Sequence, residues 1–136
     1  MARRDFRLPA ADEAFLDSLG VAWEAVQEGG VQWIILRQYR LPPGYAPERV
    51  DIAIQISAGY PDAALDMAFF HPHVRRVDGR SIPFTEGRAT VLSVAWQQWS
   101  RHRTGANPWI PGEDDLASHV HYMDAWLAAE FTKVRP

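Results

Sequence analysis

Residues 50–56, Val50-Asp51-Ile52-Ala53-Ile54-Gln55-Ile56, alternate with a period of two. Successive side chains of a strand leave opposite faces, so Val50, Ile52, Ile54 and Ile56 point one way while Asp51 and Gln55 point the other. This is the signature of a half-buried antiparallel strand. Its neighbours in sequence are of the same kind. Val31 through Tyr39 is β-branched and aromatic, with no breaker before Pro42-Pro43-Gly44. Val21 through Val26 precedes it and is ended by Gly29-Gly30. After a turn at Gly59-Tyr60-Pro61-Asp62, Met67 through Phe70 reads as a fourth strand, stopped by Pro72. Four consecutive strands with short links predict an antiparallel meander.

A helix is expected on each side of this meander. Pro9 opens the first, Asp12 and Glu13 suit its positive end, Gly20 ends it, and Leu8, Phe15, Leu16 and Leu19 form its apolar side. The last begins near Glu113, after the acidic run Gly112-Glu113-Asp114-Asp115, with Lys133 and Arg135 at its negative end. Leu116, Val120, Met123, Leu127 and Phe131 recur every three or four residues as one buried stripe. Between the meander and this helix, residues 73–112 are irregular, with Pro83, Gly87, Gly105, Pro108, Pro111 and Gly112, interrupted by an apolar piece from Ala89 through Trp99. So long an excursion is usually functional or packed by its own side chains. The expectation is a single α+β domain over residues 1–136, with helices on one face of the sheet.

The 136 residues are enough for one real core, and the 47% hydrophobic and 23% charged content is that of an ordinary globular protein. No stretch approaches the roughly 20 apolar residues of a membrane span. The arginines near the start have no apolar run behind them, which does not read as a signal peptide, so a cytoplasmic location is expected. A net charge of −3 argues against a dedicated nucleic-acid binder. The absence of Cys excludes disulfides, thiolate metal sites and a thioester intermediate on this chain. The six Trp are expected as core or interface anchors.

Several motifs occur in a telling order: Leu41-Pro42-Pro43-Gly44-Tyr45, Gly59-Tyr60-Pro61-Asp62, Phe69-Phe70-His71-Pro72-His73, Asp78-Gly79-Arg80-Ser81-Ile82, Trp96-Gln97-Gln98-Trp99-Ser100-Arg101-His102, and Trp109-Ile110-Pro111-Gly112-Glu113-Asp114-Asp115-Leu116. Their order resembles the core of the ubiquitin-conjugating enzymes, and in particular a compact bacterial branch of that superfamily. There a Tyr-Pro turn leads into a strand ending at His-Pro-Asn, and a Gly-containing loop then delivers the catalytic Cys. The resemblance runs from about Ala11 to the final helix. It implies the ubiquitin-conjugating (UBC-like) fold: N-terminal helix, four-stranded antiparallel meander, long irregular active-site-type loop, C-terminal helix. It also implies partners: a ubiquitin-like protein, its activating enzyme, and a metal-dependent deubiquitinase-like peptidase of the same pathway. No cofactor is implied.

Residue by residue, the family's His falls on His71, which the resemblance makes a buried organiser of the following loop. The Asn that is linked to oxyanion stabilisation is replaced by His73, whose ring nitrogen is also a donor. Pro83 follows Ile82 where Cys is expected. Ser81 offers a hydroxyl, but an alkoxide needs a strong adjacent base and leaves poorly. Gly79, Ile82, Ala89, Ser93, Trp96 and Trp99 are the candidates to line the groove for the modifier's tail. Three explanations of the missing thiol stay open: a non-catalytic variant, a Cys replaced at a position such as Ala89, Ser93 or Ala95, or a likeness of fold alone in an interaction module.

The remaining constellations have plainer readings beside the sharp ones. His71/His73 and His119/His121 are His-X-His pairs, which would suit a metal-dependent hydrolase. On a helix, however, i and i+2 lie about 200° apart, so His119 and His121 should diverge, with His119 packed near Leu116, Met123 and Trp126. No metal site is assigned. Asp114-Asp115 is read as helix capping before acid–base chemistry. Arg75-Arg76 and Arg101-His102-Arg103 are read as solvated loop charge before a partner surface.

Overall fold

The computed structural model describes residues 2–132. Lys133 and Arg135, expected at the end of the last helix, lie outside the described residues. The elements in order are α1 (Ala10–Ser18), β1 (Trp23–Glu28), β2 (Val31–Arg40), β3 (Tyr45–Ala46), β4 (Arg49–Ile56), β5 (Ala68–His71), β6 (Arg75–Arg76), β7 (Arg88–Val91), β8 (Val94–Trp99) and α2 (Leu116–Ala129). The meander is present as β1, β2, β4 and β5, each antiparallel to the next.

The region after the meander departs from expectation. The apolar piece from Ala89 through Trp99 is a hairpin, β7–β8, which joins the sheet at β5 and makes it six-stranded in the order β1-β2-β4-β5-β8-β7. The hairpin turn places Leu92 and Ser93 both at positive φ, 54° and 62°. Two left-handed central residues favour Asn-Gly or Asp-Gly, so Leu-Ser hides the turn from a reading based on residue type. A second small pairing, β3 with β6, ties the chain after β5 to the Pro42-Pro43-Gly44 loop.

The strands are buried on both faces. On one face Leu16 of α1 and Leu116, Val120, Met123 and Leu127 of α2 pack with Val50, Ile52, Ile54 and Ile56 of β4. Full burial of one such side chain is worth about 1.5–3 kcal/mol, so this layer holds both helices to the sheet. The other face carries no helix, yet Val26, Trp33, Ile35, Ala53, Phe69, Val91 and Trp96 are buried there. The sheet curls to enclose them: the Leu92 N–H at the hairpin tip donates to Glu28 Oε1 of β1, at 2.9 Å, although β1 and β7 are opposite edges.

Helix α2 starts at Leu116, three residues after the expected Glu113. Glu113 and Asp114 form a turn closed by their N–H groups on the Ile110 carbonyl. Asp115 is the N-cap: its Oδ1 accepts from Ser118 N–H and Ser118 Oγ accepts from Asp115 N–H, both at 2.9 Å. Helix α1 ends as expected, with Gly20 at φ +74°. Among the described residues no helix is long and apolar enough to cross a membrane.

Candidate functional site

Strand β5 delivers the chain to the region of interest. His71 is its last residue, and Pro72 cannot donate to a ladder. His71 is half-buried, its ring 5.6 Å from that of Trp96, and its imidazole makes no hydrogen bond among the described residues. The expected buried, backbone-bonded His71 is therefore corrected. The organising amide belongs to Gln97 of β8. Its Oε1 accepts from Val74 N–H (2.9 Å) and Trp99 Nε1–H (3.1 Å), and its Nε2 donates to the Val74 carbonyl (3.2 Å). Gln97 pairs with Phe70 and is 2% exposed, so one side chain satisfies both main-chain groups of a buried residue.

The loop that follows is fixed at almost every residue. The Arg76 guanidinium grips both oxygens of Asp78, and Asp78 Oδ1 also accepts from Arg80 N–H at 3.0 Å. Arg76 is 5% exposed; it reaches the Glu130 carbonyl at 3.1 Å and stacks over Phe131. Farther along, Thr85 Oγ1 donates to the Ile82 carbonyl (2.9 Å) and Arg101 Nη1 to the Pro83 carbonyl (3.0 Å). Ser100 N–H donates to the Phe84 carbonyl (2.9 Å), and Arg88 Nη1 to the Thr85 carbonyl (3.0 Å). In this pinned turn Phe84 stands at φ +58° and is 71% exposed.

Between β6 and this turn lies a depression of about 230 Å³ lined by His73, Val74, Arg75, Arg80, Ser81, Ile82, Thr85 and Glu86. It brings together three of the sequence candidates, His73, Ser81 and Ile82. Gly79 is exposed in the turn before it, and Pro83 is half-buried. The other candidates go elsewhere. Trp96 and Trp99 are three apart on β8, so they face opposite sides of the sheet and are buried in different cores. Neither lines an open groove. Ala89 faces Trp96 across the hairpin and Ser93 is in its turn. Ala95, also weighed as a former Cys position, pairs with Thr90 and is exposed. The hairpin carries all three away from the depression.

The basic dipeptides have divided fates. Arg76 and Arg101 converge on the buried Glu130 carboxylate, at 3.9 and 3.6 Å. Arg101 also lies over Trp99 and Trp126, and Arg103 over Tyr122 and Trp109. Arg75 stays exposed in the depression. The charge–aromatic framework of Arg76, Arg101 and Glu130 went unread in the sequence; the only hint was arginine beside a tryptophan-rich run. Nearby, Tyr45 donates its hydroxyl to the Leu127 carbonyl at 2.6 Å, and burial pushes its phenol up to about 12.

His119 and His121 diverge as expected. His119 is 2% exposed and bonds the Met67 carbonyl through Nε2 at 2.8 Å. A carbonyl only accepts, so the ring proton is assigned to Nε2. Burial lowers the His119 pKa. His121 is exposed and meets Phe15 edge-on. His102 Nδ1 pairs with Asp66 at 2.8 Å. Among the described residues no three His, Asp or Glu side chains are placed to hold a metal ion, so the hydrolase reading has no ligand set there. Asp114 and Asp115 are structural: Asp115 caps α2, and Asp114 accepts from Ile110 N–H at 2.7 Å, a bond that lowers its pKa.

No curated protein and no solved structure matches the chain. The model of the family described as Prokaryotic E2 family E matches residues 8–130, nearly its whole length and every element from α1 to α2. The chain belongs to this prokaryotic family of E2, or ubiquitin-conjugating-enzyme-like, proteins.

Proposed function

We propose that this chain works in a ubiquitin-like modification pathway of the cytoplasm by binding a ubiquitin-like protein, and its activating enzyme, without carrying the modifier as a thioester. One observation carries this reading: the loop after His71-Pro72 is held by hydrogen bonds, with an open depression beside it, while the chain has no Cys. An acyl group moves from thioester to thioester only through a thiolate nucleophile. Pro83 supplies none. Ser81 lines the depression with His73, but a serine alkoxide is hard to form and a poor leaving group beside a thiolate. What the site offers instead is a preformed surface, the asset of a binding partner.

The test is to incubate the chain with the ubiquitin-like protein, the activating enzyme and ATP, and to resolve the products under native and denaturing conditions. The expected result is a complex that survives native separation and falls apart in detergent without reductant. A detergent-stable adduct that resists thiols and is cleaved by hydroxide, mapped to Ser81, would replace this reading with oxyester transfer. A second check is the native gene: a Cys codon between Gly79 and Trp96 would mean that the thiol had been substituted.

A further inference from the structure

We propose that the depression beside β6 is a carboxylate-binding site, in which Arg75 and Arg80 clasp the free C-terminus of an extended peptide whose last apolar side chain packs against Phe84. The inference rests on the reading above. A thioester enzyme takes its modifier's tail as an acyl group, whereas a chain without a thiol can only bind it, and the tail of a modifier that has not been activated ends in a free acid. Such a chain needs cations in place of a nucleophile.

The charges are arranged for this. Arg75 and Arg80 both line the depression, and the Arg75 guanidinium has no ion pair or hydrogen bond among the described residues. Asp78, the nearest carboxylate in sequence, is already bound by the Arg76 guanidinium and the Arg80 N–H. Glu86 is the one carboxylate on the lining, set against two guanidinium groups. A guanidinium presents a planar fork of donors that matches a carboxylate. The depression, about 230 Å³, is smaller than an ordinary small-molecule pocket of some 300–1,000 Å³, and suits a chain end better than a compact ligand.

Phe84 is not on the lining itself but lies between the lining residues Ile82 and Thr85, and the proposal gives it the apolar half. It is 71% exposed and held at φ +58°, a region non-glycine residues rarely adopt. The turn around it is fixed by hydrogen bonds from Thr85, Arg88, Ser100 and Arg101. The ring is thus displayed by a rigid mount, so little ordering is needed when it is covered.

The probe is N-acetyl-leucyl-glycine, as free acid and as amide, titrated into ¹⁵N-labelled protein and followed by amide chemical shifts. The acid should shift residues between His73 and Gly87 saturably and bind about tenfold more tightly than the amide. Arg75→Glu and Arg80→Glu should each abolish this while leaving amides of β1, β2 and α2 unmoved. Phe84→Ala should weaken the acid several-fold, about threefold or more. Equal binding of acid and amide, or shifts confined to another face, overturns the proposal. So does inorganic phosphate binding the same residues more tightly than the acid. The ubiquitin-like protein, intact and lacking its last two residues, separates the two levels of the argument. Equal binding of both forms keeps the partner reading and removes the tail site. Peptide binding without protein binding keeps the site and removes the partner reading.

Discussion

Replacing Gln97 with Met tests what holds the candidate loop in place. The two side chains have similar volume, so the change removes the amide without opening a large cavity. Three buried polar groups lose their partner: the N–H and carbonyl of Val74, which is 1% exposed, and the indole N–H of the fully buried Trp99. A buried donor left without an acceptor costs about 1–3 kcal/mol, so the two donors alone predict a loss of about 2–6 kcal/mol. The cost is local, since Val74 lies between the end of β5 and β6. Urea unfolding should therefore show a lower midpoint with an unchanged slope, and the Val74 amide should exchange rapidly under native conditions. If Gln97→Met changes stability by less than about 0.5 kcal/mol, the size of an ordinary surface substitution, and Val74 stays protected, the role given to Gln97 is wrong.

Other expectations follow from the same contacts. Gly44 sits at φ +107°, and a Cβ there would lie 2.6 Å from the Phe131 ring; Gly44→Ala should cost about 1–3 kcal/mol from backbone strain alone, read as a fall in Tm. Asp115→Ala removes the acceptor of the α2 capping box and should cost about 0.5–2 kcal/mol in urea unfolding, with fraying seen as faster exchange at Ser118. The folded pKa of His119 lies below the usual 6.5, so below that pH the unfolded chain binds the proton first. Stability should fall as pH drops from 6.5 towards the folded value, by up to about 1.4 kcal/mol per pH unit from this group. His119→Gln should remove that part of the slope.

The parts of the fold written in local pattern were legible. The alternation of Val50 to Ile56 gave β4 and its buried face, and the spacing of Leu116, Val120, Met123 and Leu127 gave α2. The hairpin was not, because Leu92 and Ser93 adopt left-handed conformations that their residue types disfavour, and the Glu28 bond that supports them comes from the far edge of the sheet. His73, Ser81 and Ile82 line one depression because they lie on one short stretch of chain, where closeness in sequence becomes closeness in space. Trp96 and Trp99 were misplaced because a strand between them sends them to opposite faces. Gln97 was missed because its partner, Val74, is 23 residues away and becomes a neighbour only when β8 pairs with β5. Arg76, Arg101 and Glu130 come from three separated segments, and nothing local marks them as one cluster.

On the proposal above, this E2-family chain meets a ubiquitin-like protein by binding rather than by acyl transfer. The most direct measurement is mass spectrometry of one mixture of the chain, the ubiquitin-like protein, its activating enzyme and ATP, recorded under native and then denaturing conditions. The expected result is a one-to-one complex of chain and modifier in the native spectrum, and the chain at its own unmodified mass after denaturation. A chain that carries the modifier's mass after denaturation, or that forms no complex under native conditions, contradicts it.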